Sequence, residues 1–276
     1  MSNKKFSLKI KKFSFDMMGR SDVVAVVAKR KSGKSFFIRD MLHHFRDIPV
    51  GTVISQTERV NSFYKDFVPP SLIHDEYRDE IIEKVLKRQR LVLDKVRKDP
   101  EYVNVDPSAF LLMDDCMADV SWQKAPVMRE IFFNGRHFKL LTVLSLQYVM
   151  GLSVAFRNQV DWVFLFKEGI WANKKRLYEN FAGMFHNQQI FNAVLDQVTN
   201  DYGCLVIHNG ASSNVLSDQI FWYRAEDRST GDWRTCLDCF WDMEKEKDED
   251  EEDNDTGDFS RRFGRNNIEV NVIKRH

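Results

Sequence analysis

The sequence predicts an α/β fold of the P-loop NTPase type, with a mostly parallel central sheet and helices on both faces. Three observations predict it. Short, continuously apolar runs recur along the chain, as in Val23-Val24-Ala25-Val26-Val27 and Ala109-Phe110-Leu111-Leu112-Met113. Such runs suit strands buried on both faces rather than strands with one wet side. Helical patterns separate them, the clearest over residues 75–98. Finally, the first run closes on Gly33-Lys34-Ser35, where an apolar helical pattern begins.

Residues 1–22 are lysine-rich and alternate with Phe6, Leu8, Ile10, Phe13 and Phe15, which reads as one strand with a basic outer face. The next stretch, Ala28-Lys29-Arg30-Lys31-Ser32-Gly33-Lys34-Ser35, joins a strand to a helix carrying Phe36, Phe37, Ile38, Met41, Leu42 and Phe45. This is the arrangement of a phosphate-binding P-loop, with alanine at its first glycine position. Successive N–H groups of such a loop form a nest for phosphate oxygens, and the helix N-terminus adds roughly half a positive charge. Lys34 is then expected to reach the β- and γ-phosphates of ATP, and the Ser35 hydroxyl to ligate Mg²⁺. The plainer alternative is a basic, solvated turn that happens to hold Gly-Lys-Ser.

Residues 50–55 read as a second strand, and residues 56–74, with Pro69 and Pro70, as an ordered loop region. In the helix over 75–98, Ile81, Ile82, Val85, Leu86, Val92 and Val96 form a core-facing stripe. Asp99-Pro100 ends it. The apolar run at 109–113 leads into Asp114-Asp115, and a helix follows around 122–135. Further strands are expected at 140–146, 160–166, 203–207 and 220–223, with helices at 171–186 and 187–200.

Ligands of open α/β sheets sit beyond the carboxyl ends of the strands. Asp114 and Asp115 at such an end, in a chain with a P-loop, form a Walker B arrangement. Asp114 is expected to hold the Mg²⁺ shell opposite Ser35, and Asp115 to orient or deprotonate the attacking water. Gln147, at the end of the next strand, is placed to sense the γ-phosphate or that water. Phosphoryl transfer also calls for a cation on the developing charge, often an arginine from a neighbouring subunit. Arg136 and Arg157 are the candidates, with Arg136 preferred. Cys236 and Cys239 have ligand-like spacing, but no second pair completes a zinc site.

The chain has 276 residues and a formal net charge of zero. That balance hides an asymmetry. Residues 244–258 hold ten acids and two lysines, which leaves about eight net positive charges on the rest. A basic body with an acidic tail is compatible with a polyanion partner. The tail is too acidic and apolar-poor to bury a core, so disorder is expected over 244–276, behind a single ATPase domain at 1–243 with its core at about 20–226. No apolar run reaches membrane-spanning length, and the start leads into no signal-peptide core, so neither a membrane span nor secretion is expected. The four cysteines are not expected to form disulfides.

Together these residues resemble the genome-packaging ATPases of nucleocytoplasmic large DNA viruses, a branch of the FtsK/HerA superfamily. The resemblance rests on the 28–35 loop, on Leu112-Met113-Asp114-Asp115-Cys116, and on Gly135-Arg136-His137 leading to Gln147. It continues in Phe156-Arg157-Asn158-Gln159-Val160-Asp161 and Val198-Thr199-Asn200-Asp201-Tyr202-Gly203. It implies a ring-forming, Mg²⁺-dependent ATPase that drives double-stranded DNA into a preformed capsid, with a capsid or packaging-vertex partner. The setting it implies is the host cytoplasm at the virus assembly site, with virion association as a further expectation. Lys34 would be the family's Walker lysine, Asp114 and Asp115 its Walker B acids, and Gln147 its sensor. The alternatives are a recombination or repair helicase-type ATPase, a nucleotide-binding switch with negligible turnover, and a structural DNA- or capsid-binding protein.

Overall fold

The computed structural model describes residues 8–116, 120–147 and 152–242. Nine strands form one sheet: β1 (Lys11–Lys12), β2 (Val23–Val27), β3 (Gly51–Ser55), β4 (Ile73–His74), β5 (Ala109–Asp114), β6 (Leu140–Leu146), β7 (Trp162–Leu165), β8 (Gly203–His208) and β9 (Ile220–Arg224). The helices are α1 (Lys34–His44), α2 (Glu58–Asn61), α3 (Asp79–Lys98), α4 (Pro126–Asn134), α5 (Val154–Arg157), α6 (Trp171–Phe181), α7 (Gln188–Val198) and α8 (Leu216–Gln219).

The sheet order is β1-β9-β8-β7-β2-β6-β5-β3-β4. Only β8 runs against its neighbours, so the sheet is mostly parallel, as expected. The strand before the P-loop, β2, lies between β6 and β7. The strand ending in Asp114, β5, is one further away, on the other side of β6. All four point their C-terminal ends to one edge, which gathers the candidate site.

Strand residues split alternately between two apolar layers, as the two-residue period of a strand demands. Val24, Val26, Phe110 and Leu112 join α1 residues Phe37, Ile38, Met41 and Leu42 in one layer. Val23, Ala25, Leu111 and Met113 join Ile81, Ile82 and Leu86 of α3, with residues of α4, α6 and α7, in the other. Both faces of the sheet are therefore covered.

Three local expectations change. Among the described residues 8–22, only Lys11–Lys12 pairs as a strand, while Phe13 and Phe15 turn into the core against Tyr223. Residues 1–7 lie outside the described residues, as does the acidic tail from 243 onward. Within the 56–74 loop the chain forms α2 and then adds β4 to the sheet edge. On α3, burial stops near Gln89, whose amide donates to the carbonyls of Pro107 and Phe138 at 2.8 and 2.7 Å. Val92 and Val96 are only half-buried, because the helix runs on past the sheet.

Gly51 is dictated by packing across the β3–β5 pair. A Cβ there would lie 1.9 Å from Cζ of the buried Phe110 ring, its partner in register. Gly51→Ala is expected to lower unfolding stability by about 1–3 kcal/mol through overpacking, read as a shift in the urea midpoint.

Candidate nucleotide site

The P-loop begins with the buried Ala28, whose N–H donates to the Leu146 carbonyl of β6 at 2.9 Å. Its φ is not positive, so alanine occupies the first glycine position without backbone strain. The loop turns where φ is positive at Lys31 (63°) and Gly33 (98°). Gly33 caps α1 with no side-chain hydrogen bond to the helix end. The first N–H groups of a helix lack intrahelical acceptors, so this uncapped end is open to an anion. Lys34 opens α1 and Ser35 follows, exposed, in the first turn.

Asp114, at the end of β5, is buried. Its Oδ1 accepts from Lys34 Nζ at 2.7 Å, and its Oδ2 accepts from Tyr64 Oη at 2.8 Å. The fold thus joins two sequence-predicted residues, eighty positions apart, and adds a third that sequence reasoning missed. Tyr64 is held by another buried acid: the Glu58 carboxylate accepts the N–H groups of Phe63, Tyr64 and Lys65 at 3.1, 3.1 and 3.2 Å. Burial, with the Asp114 charge beside it, raises the Tyr64 hydroxyl well above its usual pKa, so it stays a donor. No short motif links Tyr64 to Asp114, fifty positions apart in sequence. Removing this hydrogen bond with Tyr64→Phe is expected to cost about 1–3 kcal/mol, measured by denaturant unfolding.

Asp115 follows with φ of 58°. Aspartate tolerates this left-handed backbone because its short side chain can bond locally. The turn carries its carboxylate to Gln147, whose amide Nε2 donates to Oδ1. The neighbouring Cys116 thiol is buried and pushed up to about 12, chiefly by burial, so it stays protonated. Its carbonyl accepts from Trp122 Nε1 at 3.1 Å, which anchors the chain after the acid pair.

Beside the loop a small cleft is lined by Lys29, Gln147, Glu168 and Arg176, among others. Lys29 pairs with Glu168, which also accepts from the Ile170 N–H at 2.7 Å and Asn173 Nδ2 at 3.0 Å. Burial works against the Glu168 charge, but Lys29 and the other donors hold its carboxyl below the usual glutamate value. Lys29 is thus tied down by a carboxylate instead of being free in the loop. Arg176, on α6, is a cation on the same cleft that the sequence did not single out.

The two arginines singled out from sequence lie elsewhere. Arg136 precedes β6 and pairs with the buried Asp161, whose Oδ2 accepts the Val23 N–H at 2.8 Å. Arg157 precedes β7 and donates to the Leu152 carbonyl at 3.1 Å. Arg136 sits at the edge where the parallel strands begin, beside Asp161 and Val23 at the start of β2, so the length of β2, about 16 Å, separates it from its own P-loop. Among the described residues no group of three or more His, Cys, Asp or Glu is placed to hold a metal, which includes Cys236 and Cys239. No helix among them is long and apolar enough to cross a membrane.

No family model matches the chain. Protein L437 of Acanthamoeba polyphaga mimivirus is 40% identical over 230 residues, covering 83% of this chain and 80% of L437. Protein 075L of Invertebrate iridescent virus 6 is 40% identical over 221 residues, covering 79% of this chain and 83% of 075L. The chain belongs to this family of large-DNA-virus proteins. The fold of the L437 and 075L family also occurs in B204, the DNA-packaging ATPase from Sulfolobus Turreted Icosahedral Virus, with a TM-score of 0.53, 17% identity, and coverage of 76% of this chain and 100% of B204. ATPase domains 2 and 3 of Thermomonospora curvata EccC share it at a TM-score of 0.50 and 12% identity, over 81% of this chain and 40% of theirs. The relatives are thus proteins of large DNA viruses, and the fold is one that a viral packaging NTPase also has.

Proposed function

We propose that this protein is a Mg²⁺-dependent ATPase that moves double-stranded DNA into a preformed viral capsid. The observation that carries the hydrolytic part is the Asp115–Gln147 hydrogen bond beside the Lys34–Asp114 pair. A site that only bound phosphate would need the loop and Lys34. A carboxylate held by a glutamine at the adjoining strand ends supplies a base and a polar guide for the attacking water. Lys34 rests on Asp114. Entry of a triphosphate draws the lysine to the β- and γ-phosphates and frees Asp114 Oδ1. Ser35 and Asp114 offer hard oxygen donors of the kind Mg²⁺ takes, and fit it on that chemistry. When bound, the ion would neutralise charge building on the phosphates. A nucleotide-binding switch with negligible turnover has no use for the Asp115–Gln147 pair.

The packaging part draws on B204, named as a DNA-packaging ATPase, and on the basic balance of the chain outside 244–258. A motor that grips phosphates without reading bases needs only such a charge. Its partners are then duplex DNA and the capsid, and its place is the infected host cell, at the assembly site. Duplex DNA is expected to stimulate ATP turnover without strand separation. Stimulated turnover coupled to unwinding would assign the protein to helicase-type work instead.

A ring of like subunits brings one protomer's strand-start edge to the next protomer's P-loop through a heterologous contact. That geometry suits Arg136, which stands at the far end of β2 from its own loop, to act in trans, with Arg157 as the second candidate. Arg136→Gln alone is expected to lose most turnover. Mixing it with Lys34→Ala protomers, each inactive alone, restores activity if the arginine acts across the interface; no restoration at any ratio contradicts the trans role.

A further inference from the structure

Two aromatic rings beside the P-loop are left exposed, although the core is rich in buried rings. Tyr202 is 65% exposed and Phe36 is 55% exposed. Phe37, one residue on, shows the contrast: it is fully buried, with its ring centroid 4.5 Å from that of Phe164.

Tyr202 is put in place by an over-determined turn. Asp201 and Tyr202 have φ of 52° and 59°, two successive non-glycine residues in the left-handed region. Such strain persists only where surrounding structure enforces it, and it clusters at ligand sites. Here Gly203 N–H donates to the Asn200 carbonyl at 3.1 Å, and a Cβ on Gly203 would lie 2.2 Å from the Val198 carbonyl oxygen. Asp201 is also paired with Arg224 at 2.8 Å. The turn presses Tyr202 against the P-loop: its Cβ and Cδ1 are 3.3 and 3.4 Å from where a Gly33 Cβ would stand. Phe36 lies three residues beyond Gly33, in the first turn of α1. Tyr202 therefore flanks the loop whose N–H groups would take the phosphates, and Phe36 stands exposed in the first turn of the helix that follows it.

We propose that Tyr202 and Phe36 bind the base of the nucleotide whose phosphates the P-loop holds, through their ring faces. The inference rests on the nucleotide reading of that loop. Stacking uses the π-face that every base has, so it adds affinity with little choice among bases. Tyr202 and Phe36 contribute to binding; neither touches the reacting phosphate.

The test measures affinity of the full-length chain for the non-hydrolysable analogue AMPPCP and for inorganic tripolyphosphate, which lacks a base. Tyr202→Asn removes the ring and tolerates the left-handed backbone; Tyr202→Phe keeps the ring; Phe36→Ala provides an independent ring deletion on a regular helix. Tyr202→Asn is expected to weaken AMPPCP about tenfold to a hundredfold, Phe36→Ala to weaken it in the same direction, and Tyr202→Phe to bind as wild type. Tripolyphosphate affinity should not change in any of them. Equal losses for both ligands, or no loss of AMPPCP affinity, would overturn the base-binding role while the P-loop reading survives. A wild-type chain that binds neither ligand would overturn both.

Discussion

Lys34→Ala is expected to reduce ATP turnover by at least about 10²–10³-fold, the usual cost of removing one preorganised charge from a phosphoryl-transfer site. The same lysine is the partner of the buried Asp114 carboxylate. Its removal leaves that carboxylate with Tyr64 alone, so stability should fall by about 1–3 kcal/mol, while two apolar layers keep the domain cooperatively folded. Steady-state phosphate release gives the first quantity and urea unfolding the second. Full turnover by a folded Lys34→Ala chain would remove the P-loop assignment.

Asp115→Asn separates binding from chemistry. Asparagine accepts the left-handed backbone that Asp115 adopts, and its side-chain oxygen still accepts from Gln147. What disappears is the carboxylate's basicity. Turnover is expected to drop by about 10²–10⁴-fold with nucleotide affinity retained. A fall in kcat at constant binding marks a role in the reaction itself, whereas a rise in KM alone would reassign Asp115 to binding.

Much of the sheet was legible because parallel strands buried on both faces read as unbroken apolar runs, and each of those runs ends at a turn. The site's shared edge was legible for the same reason: Lys34, Asp114 and Gln147 each follow such a run. The residues that sequence missed depend on long-range contacts with no local period. Tyr64 reaches Asp114 only because Glu58 gathers three N–H groups of an irregular loop. Phe36 belongs to the same apolar pattern as Phe37, and only the direction of α1 leaves one exposed and the other buried. Of the basic strand expected in residues 1–22, the described part pairs only at Lys11–Lys12, because Phe13 and Phe15 leave the edge and bury their rings against Tyr223 of β9.

We propose that ATP hydrolysis is completed by assembly and coupled to duplex DNA. It is tested most directly by ATP turnover per protomer across a wide range of protein concentration, with and without duplex DNA. A rate per protomer that climbs with concentration, and climbs further with duplex, is the predicted result. A rate per protomer that is independent of concentration and indifferent to DNA would contradict it.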